Sequence, residues 1–137
     1  MTINFTAVAA HALIEKDGKY LVTRRSPDNG YMPNLWDTPG GTIHYGEEIS
    51  TALKREIYEE TGLTCEQKEI LFVYSFMSGP HRHQFQLLYR CQYLKGDISL
   101  TSGDHNEYRW VTQDELKKLP DKIAFLETFS KCSPPML

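Results

Sequence analysis

The sequence has little of what marks a secreted, membrane-embedded or nucleic-acid-coating protein. Its cysteines, Cys65, Cys91 and Cys132, are odd in number and show no Cys-x-x-Cys spacing, which argues against a disulfide scaffold and a cysteine-built zinc site. No apolar run approaches the roughly 18 residues that a membrane helix needs. Residues 1–10 lack the basic segment and following hydrophobic stretch of a secretory leader. Neither sign of charge dominates: 15 Lys and Arg against 18 Asp and Glu leave a net charge of -3, which disfavours a broad basic surface for duplex nucleic acid. Internal repeats and low-complexity tracts are also missing. What is present is a chain of 137 residues, 40% of them hydrophobic, enough to build one core. The expectation is a soluble, cytoplasmic protein with a single domain over residues 1–132 and a loose tail over 133–137.

Local signals predict an α/β fold. Phe5–Ile14 and Lys19–Arg24 are β-rich runs joined through Lys16-Asp17-Gly18, and Asp-Gly favours a tight hairpin because both residues tolerate positive φ. Residues 26–46 carry Pro27, Asn29, Gly30, Pro33, Pro39, Gly40, Gly41 and Gly46, too many breakers for a regular element, and read as a long functional loop. A helix is predicted over Glu47–Thr61, with Ile49, Ala52, Leu53 and Ile57 as its apolar stripe and Gly62 as its C-terminal cap. Strands follow over 70–77 and 82–94. In the second, His83, Phe85, Leu87, Tyr89, Cys91 and Tyr93 alternate with Arg82, Gln84, Gln86, Arg90 and Gln92, Leu88 aside, the period of a half-buried strand. A strand over Glu107–Val111, a helix from Thr112 through Leu119 opened by a Thr112/Glu115 capping box, and a last helix over Lys122–Phe129 complete the order. Strands and helices in that order imply a mixed sheet with helices on its faces.

The chemically informative stretch is Arg55-Glu56-Ile57-Tyr58-Glu59-Glu60. Glu56 repels Glu59 and Glu60 at i,i+3 and i,i+4, and negative charge in a last turn opposes the helix dipole. On a helical wheel with Glu56 at zero, Leu53 and Ile57 fall at roughly 60° and 100°, Glu60 at roughly 40° and Glu59 at roughly 300°. Glu56 and Glu60 therefore share the buried side, while Glu47, Thr51, Lys54 and Tyr58 take the solvent side. Carboxylates aimed into a domain need cations or hydrogen bonds. Arg55 can pair with Glu59, but one Arg cannot neutralise three acids. Clustered oxygens with open positions are what Mg²⁺ or Mn²⁺ prefers.

From Gly41 to Leu63 the chain reads Gly41, five residues, Glu47, seven residues, then Arg55-Glu56-Ile57-Tyr58-Glu59-Glu60-Thr61-Gly62-Leu63, which resembles the Nudix box at every specified position. Leu35-Trp36-Asp37-Thr38-Pro39-Gly40 resembles the segment leading into it. Size and element order are similar to those of a small MutT-like Nudix hydrolase. The resemblance implies an α/β/α sandwich with a mixed β-sheet and hydrolysis of a nucleoside diphosphate linked to another moiety, with Mg²⁺ or Mn²⁺. It implies that Glu56, Glu59 and Glu60 act as catalytic and metal-binding residues. Glu56 is a ligand or an orienting base, the Gly40 carbonyl is a further ligand, and Arg55 orients a box glutamate.

Outside the box, Glu107 resembles the distal acid that family members use as base or extra ligand. Arg25 and Arg82 resemble phosphate-contacting arginines, and Asp121 lies near where MutT-like enzymes read the nucleobase. Tyr31, Trp36, Phe76 and Phe85 are candidates to stack on a base. The reading is a nucleoside triphosphate pyrophosphatase that yields a monophosphate and pyrophosphate, takes a nucleotide as its partner, binds no duplex nucleic acid or membrane, and is a monomer or homodimer. The alternatives are hydrolysis of ADP-ribose, a sugar nucleotide or a dinucleoside polyphosphate, and a non-catalytic Nudix-fold binding module.

Overall fold

Two residues set the geometry of the opening hairpin. Asp17 and Gly18 take φ of 52° and 78°, the positive-φ pair of a primed turn, whose twist matches that of the strands it joins. In the computed structural model, which describes residues 3–132, this turn links β1 (Phe5–Lys16) to β2 (Lys19–Arg25). The tail expected over 133–137 lies outside the described residues.

The hairpin soon opens into a fork. Its paired residues are Glu15 with Tyr20 and Lys16 with Lys19. Beyond them β1 pairs with β4 (Gly40–Thr42) through Ala9–His11, and β2 pairs with β3 (Trp36–Asp37) through Thr23 and Arg24. The breaker-rich loop is therefore threaded into the fork, where Arg25 N–H donates to Leu35 O (2.9 Å), Ala12 N–H to Pro39 O (2.8 Å) and Ile43 N–H to Val8 O (2.8 Å).

The remaining strands are β5 (Thr64–Met77), β6 (Arg82–Lys95) and β7 (His105–Val111). β6 runs parallel to β1 and antiparallel to β5, and β7 pairs with β2, giving a seven-stranded mixed sheet.

Helices cover both faces. α1 (Ile49–Thr61) sets Leu53 and Ile57 on Ala10, Ala12, Ile14, Leu21 and Cys91, and the two alanines let the helix approach the sheet. α2 (Gln113–Lys118) and α3 (Ala124–Ser130) bring Leu116, Phe125, Leu126 and Phe129 against Leu13, Val22 and Leu88 on the opposite face. No helix among the described residues is long and apolar enough to cross a membrane.

The local signals resolve as physical chemistry predicts in most places. Gly62 caps α1 at φ 77°, donating its N–H to Tyr58 O at 2.9 Å. Thr112 and Glu115 form the reciprocal capping box of α2. Other expectations change, and β5 begins at Thr64 rather than residue 70 and β7 at His105 rather than Glu107. α1 begins at Ile49, and Ile49 is exposed, so its inward stripe is Ala52, Leu53 and Ile57. α3 begins at Ala124, because Lys122 turns its buried ammonium onto Leu116 O (2.8 Å) and Lys117 O (3.0 Å) at the end of α2. In the first half of β6 the buried residues are Gln84, Gln86 and Leu88, with Phe85 and Leu87 only partly covered on the other face, whose Cys91 is buried further along. β6 is an interior strand, and alternation separates its two faces without saying which of them is buried.

Candidate active site

The site forms where the last two turns of α1 meet the loop held in the fork. Glu60 is 6% exposed, and its Oε1 accepts a hydrogen bond from Gly40 N–H at 2.7 Å. Burial, reinforced by the charges of Asp37, Glu56 and Asp104, raises its pKa to about 9 against the opposing effect of that bond. Glu56 lies directly over Gly41: a Cβ at residue 41 would sit 2.6 Å from the Glu56 carboxyl carbon and 2.6 and 2.7 Å from its oxygens. A Cβ at residue 40 would fall 2.4 Å from Ala10 O. The two glycines thus let the loop backbone pass between β1 and the glutamates.

Arg55 ties the acids together. Its Nε and Nη2 each donate to Glu47 at 2.9 Å, and its Nη1 lies 2.8 Å from Glu56 Oε1 and 3.4 Å from Glu59 Oε2. This forked pairing, with the His44 N–H, holds the Glu47 pKa down at about 2. Glu47 is therefore not a solvent-side helix residue, as the wheel has it; it stands outside α1 and anchors the loop to the helix. Glu59 is exposed, away from the buried side that takes Glu60, since its wheel position is at the margin of that face.

Behind Glu60 lies His105, 3% exposed, with both ring nitrogens buried and lacking hydrogen-bond partners. Its Nδ1 is 3.6 Å from Glu60 Oε2. Burial lowers the His105 pKa as it raises that of Glu60, so at neutral pH the two form a neutral pair. Asp37, His11 and Thr38 complete the surroundings: the His11 Nδ1 is 3.0 Å from Thr38 O and 3.7 Å from Asp37 Oδ1.

Arg25 stands at the seam between two clefts. Its Nε donates to Tyr31 O (2.7 Å), its Nη2 to Asn29 Oδ1 (3.0 Å) and its Nη1 to the buried Asp37 carboxylate (3.2 Å). On one side is an acidic cleft of about 370 Å³ bordered by Asn29, His44, Glu56, Glu60 and Asp104. On the other is a cleft of about 320 Å³ bordered by Tyr31, Phe76, Arg82, Gln84 and Gln86. The Arg82 Nε is buried without a partner. The second cleft shares Tyr31, Phe76, Gln86 and Ile123 with an apolar pocket of about 500 Å³ completed by residues such as Met32, Leu35 and Tyr74.

Two sequence candidates are not brought to this site. Glu107 borders neither cleft; its carboxylate pairs with Arg24 (3.4 Å) and Arg109 (3.7 Å). The register of β7 slips between Glu107, opposite Arg24, and His105, opposite Arg25, so Glu107 does not follow His105 to the side where Asp104 and His105 stand near Glu60. Asp121 is exposed, with φ of 58°, and serves through its backbone carbonyl, which accepts from Trp36 N–H at 2.7 Å. Among the aromatic candidates, Tyr31 and Phe76 border the clefts, whereas Trp36 is core and Phe85 packs on His83. Gln84, Gln86 and His105 carried no sequence signal, because a polar residue on a strand reads as solvent-facing.

Among the described residues, no three His, Cys, Asp or Glu side chains stand together as a ready metal cage, since Arg55 holds Glu56 and Glu59. The chemistry of the donors nevertheless fits a hard divalent cation: carboxyl oxygens and a backbone carbonyl at a point where burial, with the neighbouring acids, keeps Glu60 protonated.

A family model described as NUDIX domain matches residues 4–130. The chain is 33% identical over 109-plus residues to curated relatives, among them an ADP-ribose pyrophosphatase of Methanocaldococcus jannaschii, matched over 114 residues, 82% of this chain and 66% of the relative. It thus spans just under two thirds of that protein's length. It is 30% identical over 128 residues to nucleoside triphosphatase NudI of Salmonella newport, 86% of this chain and 90% of the relative. A crystal structure of a MutT protein from Methanosarcina mazei Go1 superposes with a TM-score of 0.83 at 25% identity, covering 96% of this chain and 94% of that one.

Proposed function

The chain belongs to the NUDIX domain family, and from that premise we propose that it hydrolyses nucleoside triphosphates to monophosphate and pyrophosphate with Mg²⁺ or Mn²⁺. The observation that carries this reading is the sequence of environments along the clefts: carboxylates at Glu56 and Glu60, then the cations Arg25 and Arg82, then an apolar pocket walled by Tyr31 and Phe76. A nucleotide presents phosphate, sugar and base in the same order.

Glu59 and Glu60, with the Gly40 carbonyl, would hold the divalent cation, which leaves Glu56 to act as the base. Such a cation would supply charge to offset the phosphates and would make the attacking water more acidic. The protein's own groups do the rest. Arg25, fixed by Asp37, Asn29 and Tyr31, and Arg82 bind the phosphates. Water adds to phosphorus as the phosphoanhydride bond breaks and pyrophosphate leaves with the electron pair. Glu56, seated over Gly41 and oriented by Arg55, takes the proton of that water. Glu60 must give up its own proton for the site to load, which couples loading to pH.

Hydrolysis of ADP-ribose is the second reading, favoured by the similarity to the Methanocaldococcus enzyme; the nucleoside triphosphatase relative, matched over 90% of its length, supports the first. Comparing kcat/KM for the nucleoside triphosphates, ADP-ribose, sugar nucleotides and dinucleoside polyphosphates tests the choice. A triphosphate with the highest value supports the proposal, and ADP-ribose turned over to AMP and ribose 5-phosphate in preference to every triphosphate overturns it.

A further inference from the structure

One face of β6 holds a row of polar side chains that the fold itself does not need. Arg82, Gln84 and Gln86 occupy alternate positions, so they point the same way, toward the face whose next member is the core residue Leu88. Gln84 is 5% exposed and Gln86 8%. The Gln86 Oε1 and the Arg82 Nε are buried with no hydrogen-bond partner, and Gln84 makes one long contact, Nε2 to Phe85 O at 3.3 Å. Burying a carboxamide oxygen without a partner is destabilising, and apolar residues would fill the same space on an interior strand without that cost. Groups left unpaired along a cleft are groups whose partners come with a ligand.

The neighbouring strands shape the space above this row. Gln84 and Gln86 stand beside Ala7 and Ala9 of β1 and beside Phe76 and Tyr74 of β5. Alanines on one side keep the floor low, while the aromatics on the other provide a wall. Gln86 borders both the middle cleft and the apolar pocket, and Arg82 borders only the middle one. Alternate residues of a strand are separated by about 7 Å, so the row spans about 14 Å from Arg82 to Gln86, comparable to the reach from a phosphate to the far edge of its base.

We propose that Gln86, supported by Gln84, is the residue that reads the substrate's nucleobase: Arg82 takes phosphate, Gln84 lies along the sugar, and the Gln86 carboxamide exchanges hydrogen bonds with the base edge between Tyr31, Phe76 and Ile123. A carboxamide offers a donor and an acceptor side by side, so it selects among bases by the order of the same two groups on their edges. The assignment rests on the nucleotide-hydrolase reading above and names the feature of the substrate that the protein discriminates.

The test compares kcat/KM for the four common nucleoside triphosphates in the wild-type chain, Gln86→Leu and Gln86→Glu. Thermal unfolding is measured alongside, to establish that both variants are folded. The expected result is a preference of tenfold or more for one base in the wild type, collapsed to within about threefold by Gln86→Leu. Gln86→Glu, which keeps an acceptor and loses the donor, re-orders the bases rather than levelling them. If a folded Gln86→Leu variant keeps the wild-type ranking and spread, or if the wild type itself turns over all four alike, the inference is overturned while the hydrolase reading stands. If the wild type hydrolyses none of them, the substrate reading falls and takes this assignment with it.

Discussion

Glu60 is the residue on which the chemistry and the stability of the site most clearly conflict. Its carboxyl titrates near 4.5 when unfolded and near 9 in the folded chain, so the folded state binds the extra proton between those values. Stability is unaffected below the unfolded pKa, falls as pH rises from about 4.5 and stops falling above about 9. By pH 7 the penalty approaches roughly 3 kcal/mol as an upper bound. Glu60→Gln removes the titration and keeps the shape. In chelator-treated protein, thermal melts are expected to show the variant several degrees more stable than wild type at pH 8 and equal to it at pH 4. Added Mg²⁺ raises the wild-type Tm and leaves the variant unchanged. A variant less stable than wild type at pH 8 would contradict this. Gly41 makes a complementary case: Gly41→Ala sets a methyl group 2.6 Å from the Glu56 carboxylate, so that group must move. The expected outcome is a loss of kcat of at least about a hundredfold, in line with displacing a catalytic group by an ångström, with a cooperative melt retained.

Residue identity made part of this legible in advance. The wheel positions of Glu56 and Glu60 follow from helix geometry alone, and Glu60 is buried as they require. Glu107 stands apart from this cluster because the register of β7 against β2 slips between it and His105, and no local pattern encodes that.

At the scale of elements, the central joint is between α1 and the loop before it. α1 carries no side-chain N-cap; in place of one, Arg55 in its second turn reaches back to Glu47 with two 2.9 Å bonds. The helix therefore positions the loop, and the loop's Gly40 and Gly41 position the glutamates. A lysine at residue 55 keeps the charge but loses the planar fork. Arg55→Lys is expected to cut kcat about tenfold or more while shifting Tm by no more than a few degrees, measured by steady-state turnover and thermal melts on the same preparation. Equal loss of activity and of folded protein would assign Arg55 a structural role only. Element types were readable because turn, cap and periodicity signals agree locally, as at Asp17-Gly18, Gly62 and Thr112/Glu115. The short strands β3 and β4 were not readable, because their conformation is imposed by the fork that receives them.

For the whole molecule, the sheet's fork brings segments distant in sequence to one line: the loop at Gly40, the end of α1, the start of β7 at His105 and the face of β6 at Gln84 and Gln86. Composition and order indicated a mixed sheet with helices on both faces, and the family match agrees with that architecture. The clefts themselves arise only from tertiary placement, so the polar row on β6 was invisible until β1 and β5 were seen beside it. The most direct measurement is phosphorus-31 NMR of a nucleoside triphosphate incubated with the chelator-treated protein, before and after Mg²⁺ is added, with Glu60→Gln in parallel. Monophosphate and pyrophosphate appearing only with Mg²⁺ and only in the wild type is the predicted result. Orthophosphate and a diphosphate as products, or equal turnover by Glu60→Gln, would contradict it.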